Sequence, residues 1–355
     1  MKPVIAITAG DINGVGYEVI IKTLADPHVA EVCTPIVYGN QAILNKHRQL
    51  LGDEYRNFRC QVVTCYPDDT PLALGESTRE AGKAAFLSLE RACKDLKEGK
   101  VQALVTAPIN KENIQSEQFK FSGHTEYLAS QFGGEHKDAL MMMVSEMMKV
   151  ALVCNHTPIS KVPQMISEER IMRKLTVLNK TLKDDFMIRK PRIAVLALNP
   201  HAGDNGLIGK EEVEVIKPAI DKAVDQGILA FGPYSADGFF GAGTYMHFDA
   251  ILAMYHDQGL IPFKSLDMNG VNYTAGLPII RTSPDHGTAY NLVGKNMAEN
   301  LSFAHALYMA VDLIKNREIT AEINKDPLVI PEREEKNERP RVPFFVPKDE
   351  IPAES

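Results

Sequence analysis

Ala250-Ile251-Leu252-Ala253-Met254, followed by Tyr255-His256-Asp257-Gln258-Gly259, is the stretch from which the fold can be read. An uninterrupted apolar run this short suits a strand covered on both faces better than a helix. The abrupt change to a polar loop marks where that strand leaves the core. The same arrangement recurs twice: Val150–Cys154 runs into Asn155-His156-Thr157-Pro158, and Ile193–Leu198 into Asn199-Pro200-His201-Ala202-Gly203. Val4–Thr8, Pro35–Tyr38, Val101–Thr106 and Leu277–Arg281 read as further buried strands, and Ala139–Val144 is of strand length.

Between these runs lie helical patterns. One opens at Ser77, with Glu80 three residues on as a capping box. Ala85, Leu89, Ala92 and Leu96 then share a face, and Gly99 stands at the stop. Tyr127–Phe132, Glu168–Leu182, Gly209–Val224 and Ala298–Asn316 also read as helical. This alternation predicts an α/β protein with a mainly parallel sheet covered on both faces. In such sheets ligands sit beyond the carboxyl ends of strands, where the polar clusters of this chain fall.

The chain has 355 residues, enough for two domains or one large α/β unit. Its net charge of −7 argues against nucleic acid as a partner, because phosphate backbones select basic faces. No apolar run is long enough to span a membrane. The start, MKPVIAITAG, lacks a signal-peptide pattern and reads directly as a strand, which with the unpaired cysteine usage predicts a cytoplasmic protein. The five cysteines are odd in number and lack CxxC spacing, so reduced thiols are expected.

Taken singly, a histidine in a loop is usually structural. Three at the ends of successive strands, His156, His201 and His256, form a set that could converge on one divalent ion with a position left open for substrate. Asp257 is then a candidate base or an orienting partner. Gly10-Asp11-Ile12-Asn13-Gly14-Val15-Gly16 reads as a tight turn whose amides could face an anion, although it matches neither dinucleotide nor Walker patterns. Gly123-His124-Thr125-Glu126 combines donors for a phosphate or carboxylate with a possible cap by Thr125. Lys264, Asn272 and Arg281 supply a point charge, an amide and a fork suited to anions. Asp285-His286-Gly287-Thr288-Ala289 gathers small residues and exposed amides, and would let a nucleotide approach the backbone.

Together these segments resemble the 4-hydroxythreonine-4-phosphate dehydrogenase family of pyridoxal phosphate (pyridoxine) biosynthesis. The resemblance spans nearly the whole chain. Its most specific pieces are Gly123-His-Thr-Glu, Asn199-Pro-His-Ala-Gly, Tyr255-His-Asp-Gln-Gly-Leu and Leu277-Pro-Ile-Ile-Arg-Thr-Ser-Pro-Asp-His-Gly-Thr-Ala. It implies two α/β/α domains of the isocitrate/isopropylmalate dehydrogenase-like fold, with the active site in the cleft between them. Residues 1–130 with 285–325 would form an outer domain carrying the cofactor turn. Residues 131–284 would form a middle domain with the metal ligands and dimer interface, and 326–355 a tail or arm. The implied metal ligands for zinc, magnesium or cobalt are His156, His201 and His256, in a site shared across a homodimer. The implied substrate contacts are His124, Thr125, Lys264, Asn272 and Arg281, and Asp285–Ala289 would bind NAD or NADP. Asp257 and Asp237 are the candidate bases. The implied reaction oxidises 4-phosphooxy-L-threonine at C3 and then releases CO2 to give 3-amino-2-oxopropyl phosphate.

The first loop departs from the family pattern Gly-Asp-Pro-Ala-Gly-Ile-Gly-Pro-Glu, lacking both prolines. Three other readings remain open at this level. A dehydrogenase of D-threonate or D-erythronate 4-phosphate would keep the metal and cofactor sites. A metal-dependent hydrolase would use the three histidines without a cofactor. A non-catalytic binding protein would have no use for either set.

Overall fold

The computed structural model describes residues 2–133 and 139–326. The expected tail at 326–355 lies, apart from Asp326, outside them. The strands are β1 (Val4–Thr8), β2 (Thr34–Gly39), β3 (Gln61–Thr64), β4 (Ala103–Thr106), β5 (Leu140–Val144), β6 (Lys149–Cys154), β7 (Arg192–Leu196), β8 (Leu229–Tyr234), β9 (Ala250–Tyr255), β10 (Val271–Ala275) and β11 (Ile280–Pro284). The helices are α1 (Gly16–Leu24), α2 (Pro27–Val32), α3 (Gln41–Leu50), α4 (Arg79–Lys97), α5 (His124–Phe132), α6 (Val162–Met165), α7 (Glu168–Asp184), α8 (Lys217–Asp225), α9 (Ala236–Gly241), α10 (His256–Leu266) and α11 (Leu301–Ile323).

All eleven strands join one sheet in the order β3-β2-β1-β4-β11-β10-β5-β6-β9-β7-β8. Pairing is parallel except for β11–β10, β10–β5 and β5–β6. Three reversals separate the two parallel blocks, so the blocks run in opposite directions. The central strands β1, β4, β5, β6 and β9 are apolar runs with almost every residue buried. That is the pattern of strands covered by helices on both faces. The five cysteines are free thiols. Among the described residues, no helix is long and apolar enough to cross a membrane.

Several expectations shift. Helix α4 is capped by Thr78 rather than Ser77: its side chain accepts from Ala81 N–H and also from the Asn13 amide, which ties the cap to the first loop. The strand expected at Leu277–Arg281 begins at Ile280. Gly276 is left-handed at φ +80°, and Arg317 donates to the carbonyls of Leu277 and Pro278, which holds that stretch as a bend. The helix expected from Gly209 is a wide turn over Glu212–Ile216 leading into α8, where Pro218 lacks an N–H to continue the ordinary ladder. Helix α5 starts at His124 with Gly123 before it, so Thr125 is not its cap.

Candidate active site

A cavity of about 320 Å³ lies against the middle of the sheet, between the two parallel blocks. Loops leaving the carboxyl ends of β4, β11, β6 and β9 reach it, and Arg281, Asn272 and Met141 line it from the strands themselves. Arg281 is 3% exposed. Its Nε and Nη2 donate to Thr106 Oγ1 on β4, at 3.1 and 2.7 Å, and Nη1 donates to Thr274 Oγ1 on β10 at 3.1 Å. A guanidinium has five N–H donors, so some stay free. No carboxylate among the described residues pairs with it. Burial pulls its pKa down to about 10, and the charge of Glu126 offsets part of that pull. A buried cation without a counter-ion is costly unless an anion joins it.

The other lining groups fit an anionic, polar occupant. His124 is buried and its Nε2 has no partner. Burial, then Arg281, then Lys111 push it well below the ordinary histidine range, so it is neutral. Asn272 Oδ1 is likewise buried without a partner. Lys264 Nζ lies 3.0 Å from Asp285 Oδ1, while Asp285 Oδ2 is buried and unpartnered. Burial raises the Asp285 carboxyl above the ordinary range despite the opposing pull of Lys264. Thr125, expected beside His124, is not among the lining residues.

His156 and His256 leave the adjacent parallel strands β6 and β9 and meet at the cavity, their ring centroids 5.8 Å apart. His256 Nδ1 lies 2.7 Å from Asp257 Oδ1, the orienting contact expected of Asp257. Asp257 does not line the cavity. His201 follows β7, the next strand across, but is not in this cavity either. It opens a left-handed turn, His201–Asn205, with φ between 42° and 77° throughout. Such a turn costs about 1–2 kcal/mol for each residue with an ordinary side chain. The buried Glu212 carboxylate holds it, accepting from Leu198 N–H, Asn199 N–H and the Asn199 amide. Asp237 sits on the His201 side, where the Ser235 hydroxyl, the Gly238 N–H and His201 hold its pKa low. The chain therefore brings two of the three expected histidines together. Among the described residues no group of three His, Cys, Asp or Glu side chains is placed to hold a metal.

On the far side, Asp285, His286 and Gly287 line the cavity, while Thr288 packs on the first loop. Val15 N–H donates to Thr288 O, and a Cβ on Gly14 would stand 2.6 Å from that oxygen. His286 Nε2 is buried without a partner, and a Cβ on Gly287 would meet open space. Gly14 thus serves close packing on the 285–289 turn, while Gly10 and Gly16 lie against the backbone of Pro108 and Ala9. Side-chain hydrogen bonds tie this loop and the start of α1 to their surroundings. Asn13 donates to Glu76 O and Thr78 Oγ1 and accepts from Ala73 N–H, while Tyr17 OH bonds Asn40 N–H and the Tyr66 hydroxyl. Tyr290 OH and the Asn113 amide both donate to Asp11, which fixes the loop from its other side.

Lys111, Thr106 and Thr274 were not signalled by the sequence. Lys111 Nζ lies 3.4 Å from His156 Nε2, at the cavity wall. A larger cleft of about 610 Å³ contains Arg317, but Asp185 and Tyr273 already engage that guanidinium.

Residues 31–310 match the family model described as pyridoxal phosphate biosynthetic protein PdxA. A 4-hydroxythreonine-4-phosphate dehydrogenase from Bacteroides thetaiotaomicron is 50% identical over 91% of this chain and 92% of its own length. The crystal structure of a 4-hydroxythreonine-4-phosphate dehydrogenase from Klebsiella pneumoniae superposes with a TM-score of 0.76 at 34% identity, covering 88% of this chain and 98% of that one. A beta-decarboxylating dehydrogenase from Thermococcus kodakarensis shares the fold at 13% identity and a TM-score of 0.50, over 91% of this chain and 87% of that one.

Proposed function

The chain belongs to the family of pyridoxal phosphate biosynthetic protein PdxA, and from that premise we propose that its central cavity oxidises 4-phosphooxy-L-threonine. It is a dehydrogenase that uses a nicotinamide cofactor, and NAD is the form proposed here. The observation that carries the reading is Arg281, a buried guanidinium with free donors and no counter-ion among the described residues, in a cavity that also holds Lys264, His124 and Asn272. A small substrate with a phosphate and a carboxylate meets that demand. A hydrolase would leave the Asp285–Ala289 turn, and the loop packed against it, without a use.

Arg281 and His124 fix one end of the substrate, and Lys264 meets the other. Asn272 Oδ1 is an acceptor suited to the substrate ammonium. Asp285 is the one carboxylate among the described residues lining the cavity, and its unpartnered Oδ2 makes it a further candidate to take the hydroxyl proton. Asp257, which bonds His256, and Asp237, on the His201 side, remain candidate bases beside the metal ligands. Asp285–Ala289 would hold the adenosine end of the nicotinamide cofactor, which when bound would supply the acceptor for the hydride leaving C3. The resulting β-keto acid loses CO2 to leave 3-amino-2-oxopropyl phosphate.

The donor set fits a divalent ion in part: two imidazoles meet, and burial followed by the charge of Lys111 keeps His156 neutral, as a ligand must be. We assign the ion to His156 and His256 of one chain with His201 of the partner subunit, and when bound it supplies the positive charge that acidifies the C3 hydroxyl. A homodimer would cover the apolar surface after His201, where Leu207 is 81% and Val213 55% exposed. The test is reduced-nicotinamide formation from 4-phosphooxy-L-threonine beside D-threonate 4-phosphate. Preference for the first supports the reading, and turnover of only the second overturns the substrate.

A further inference from the structure

The first loop carries a buried carboxyl group that the chemistry proposed above leaves unused. Asp11 is fully buried, and no Lys, Arg or His among the described residues pairs with it. A buried carboxylate without a cation is costly unless hydrogen bonds satisfy it. Donors from three segments do so. Asn13 N–H, within the loop, donates to Oδ1 at 2.9 Å. Asn113 Nδ2 and the Tyr290 hydroxyl donate to Oδ2 at 2.7 and 2.8 Å. Asn113 belongs to the loop after β4, and Tyr290 directly follows the Asp285–Ala289 turn. The Asp11 N–H donates to Pro108 O at 2.9 Å, so backbone and side chain both bind the loop after β4. Ala107, Pro108, Ile109 and Lys111 form one stretch of the cavity wall, and Asp285, His286 and Gly287 form another. Asp11 is bonded to both loops and lines the cavity with neither.

The two loops leave the neighbouring parallel strands β4 and β11, whose ladder ends at Val105 and Thr282. Past that point Asp11 is their shared anchor. We propose that Asp11 is a positioning residue that joins the cofactor turn to the cavity wall after β4, so that nucleotide and substrate bind cooperatively. The inference rests on the placing of the cofactor along Asp285–Ala289 and gives that placing a consequence for the substrate. A ligand that orders one loop restrains the other through Asp11, so the second ligand has less conformational freedom to remove. Coupling between two sites is typically about 5- to 150-fold in affinity. The wall is held by a backbone and a side-chain bond, whereas the carboxyl reaches the turn through the Tyr290 hydroxyl alone. That hydroxyl is therefore where the link can be cut with least disturbance. The loop's other bond to the turn, from Val15 N–H to Thr288 O, does not pass through the carboxyl.

NADH cannot accept a hydride, so with 4-phosphooxy-L-threonine it forms a ternary complex that does not react. Its dissociation constant is read by fluorescence on the full-length protein with added magnesium, with and without saturating 4-phosphooxy-L-threonine. The ratio of the two values is the coupling. Wild type should bind NADH at least about fivefold more tightly when the substrate is present. Tyr290→Phe keeps the ring and should cut that factor at least about threefold, the scale of one hydrogen bond, while NADH alone binds within about threefold of wild type. Asp11→Ala should cut it further, and if that variant does not fold, Tyr290→Phe decides. Tyr66→Phe deletes a comparable buried hydroxyl, 2.7 Å from the Tyr17 hydroxyl and outside the bridge, and should leave the factor unchanged. Absence of coupling in a wild type that binds both ligands overturns the assignment and leaves the reaction class standing. So does an unaltered factor in Tyr290→Phe, or an equal loss in Tyr66→Phe. Coupling with D-threonate 4-phosphate alone supports the role of Asp11 and overturns the substrate. Failure of wild type to bind NADH overturns the cofactor placement and this inference with it.

Discussion

Gly14→Ala tests the cofactor turn without touching a residue that would contact the cofactor. Gly14 has no left-handed φ, so alanine is conformationally acceptable there and space alone decides. The added Cβ would lie 2.6 Å from Thr288 O, 3.1 Å from Thr288 Cβ and 3.3 Å from Thr288 C. Ordinary carbon–oxygen contacts are about 3.3–3.6 Å, so the turn must retreat by roughly 0.7–1 Å. The Val15 N–H to Thr288 O bond, now 3.0 Å, stretches with it. Overpacking of this kind costs about 1–3 kcal/mol. Where the displaced element is the binding surface, that becomes roughly a 5- to 150-fold loss of NAD affinity. Calorimetric titration with NAD reads the effect, and phosphate binding at Arg281 serves as the internal control because that end of the cavity is untouched. NAD affinity within twofold of wild type, in a protein that melts normally, would refute the placing of the cofactor along Asp285–Ala289.

Arg281→Lys keeps the charge but cannot span Thr106 and Thr274. The loss of charge-assisted bonds, about 2–4 kcal/mol, should lower kcat/KM by roughly 30- to 1000-fold, and a steady-state loss below fivefold would contradict the anion role. Glu212→Gln places an amide group against donors that now meet a carboxylate, at a cost of about 1–3 kcal/mol. Divalent-ion affinity, read by competition with a chelator, should fall although Glu212 is not a ligand, and an unchanged affinity would mean that the His201 turn holds itself. His47 is 2% exposed, and burial lowers its pKa to about 4 while its Nε2 bonds Ile12 O. The unfolded value is about 6.5, so the unfolded chain binds the extra proton between the two. The contribution is complete above pH 6.5 and is lost as pH falls toward 4, about 3 kcal/mol in all. Urea unfolding of wild type and His47→Gln over that range should show the slope in wild type alone, and parallel slopes would exclude His47 as its source.

The strands were legible where burial on both faces made them continuous apolar runs, as at Val4–Thr8 and Ala250–Tyr255. Gln61–Thr64 and Leu229–Tyr234 were not, because edge strands are short and half-exposed, and the second carries Gly232-Pro233. Val271–Ala275 hid among turn residues on either side. Of the expected site, Arg281, Lys264, Asn272 and His124 could be found because their residue types suit anions, and the structure gathers all four. Lys111 could not, since Pro-Ile-Asn-Lys after a strand reads as an ordinary surface loop. The left-handed turn that carries His201 has a signal in the sequence: Gly203, Asp204, Asn205 and Gly206 in succession are the residues that tolerate such backbone.

The central claim is that oxidation takes place in this cavity and that a second copy of the chain completes it. Co-expressing His156→Ala and His201→Ala chains tests it most directly. Each variant alone should be inactive. In a random mixture half of the dimers pair the two variants, and each such dimer regains one intact site, so roughly a quarter of wild-type turnover should return. Full activity in His201→Ala alone, or no recovery from two folded and associated variants, would contradict the account.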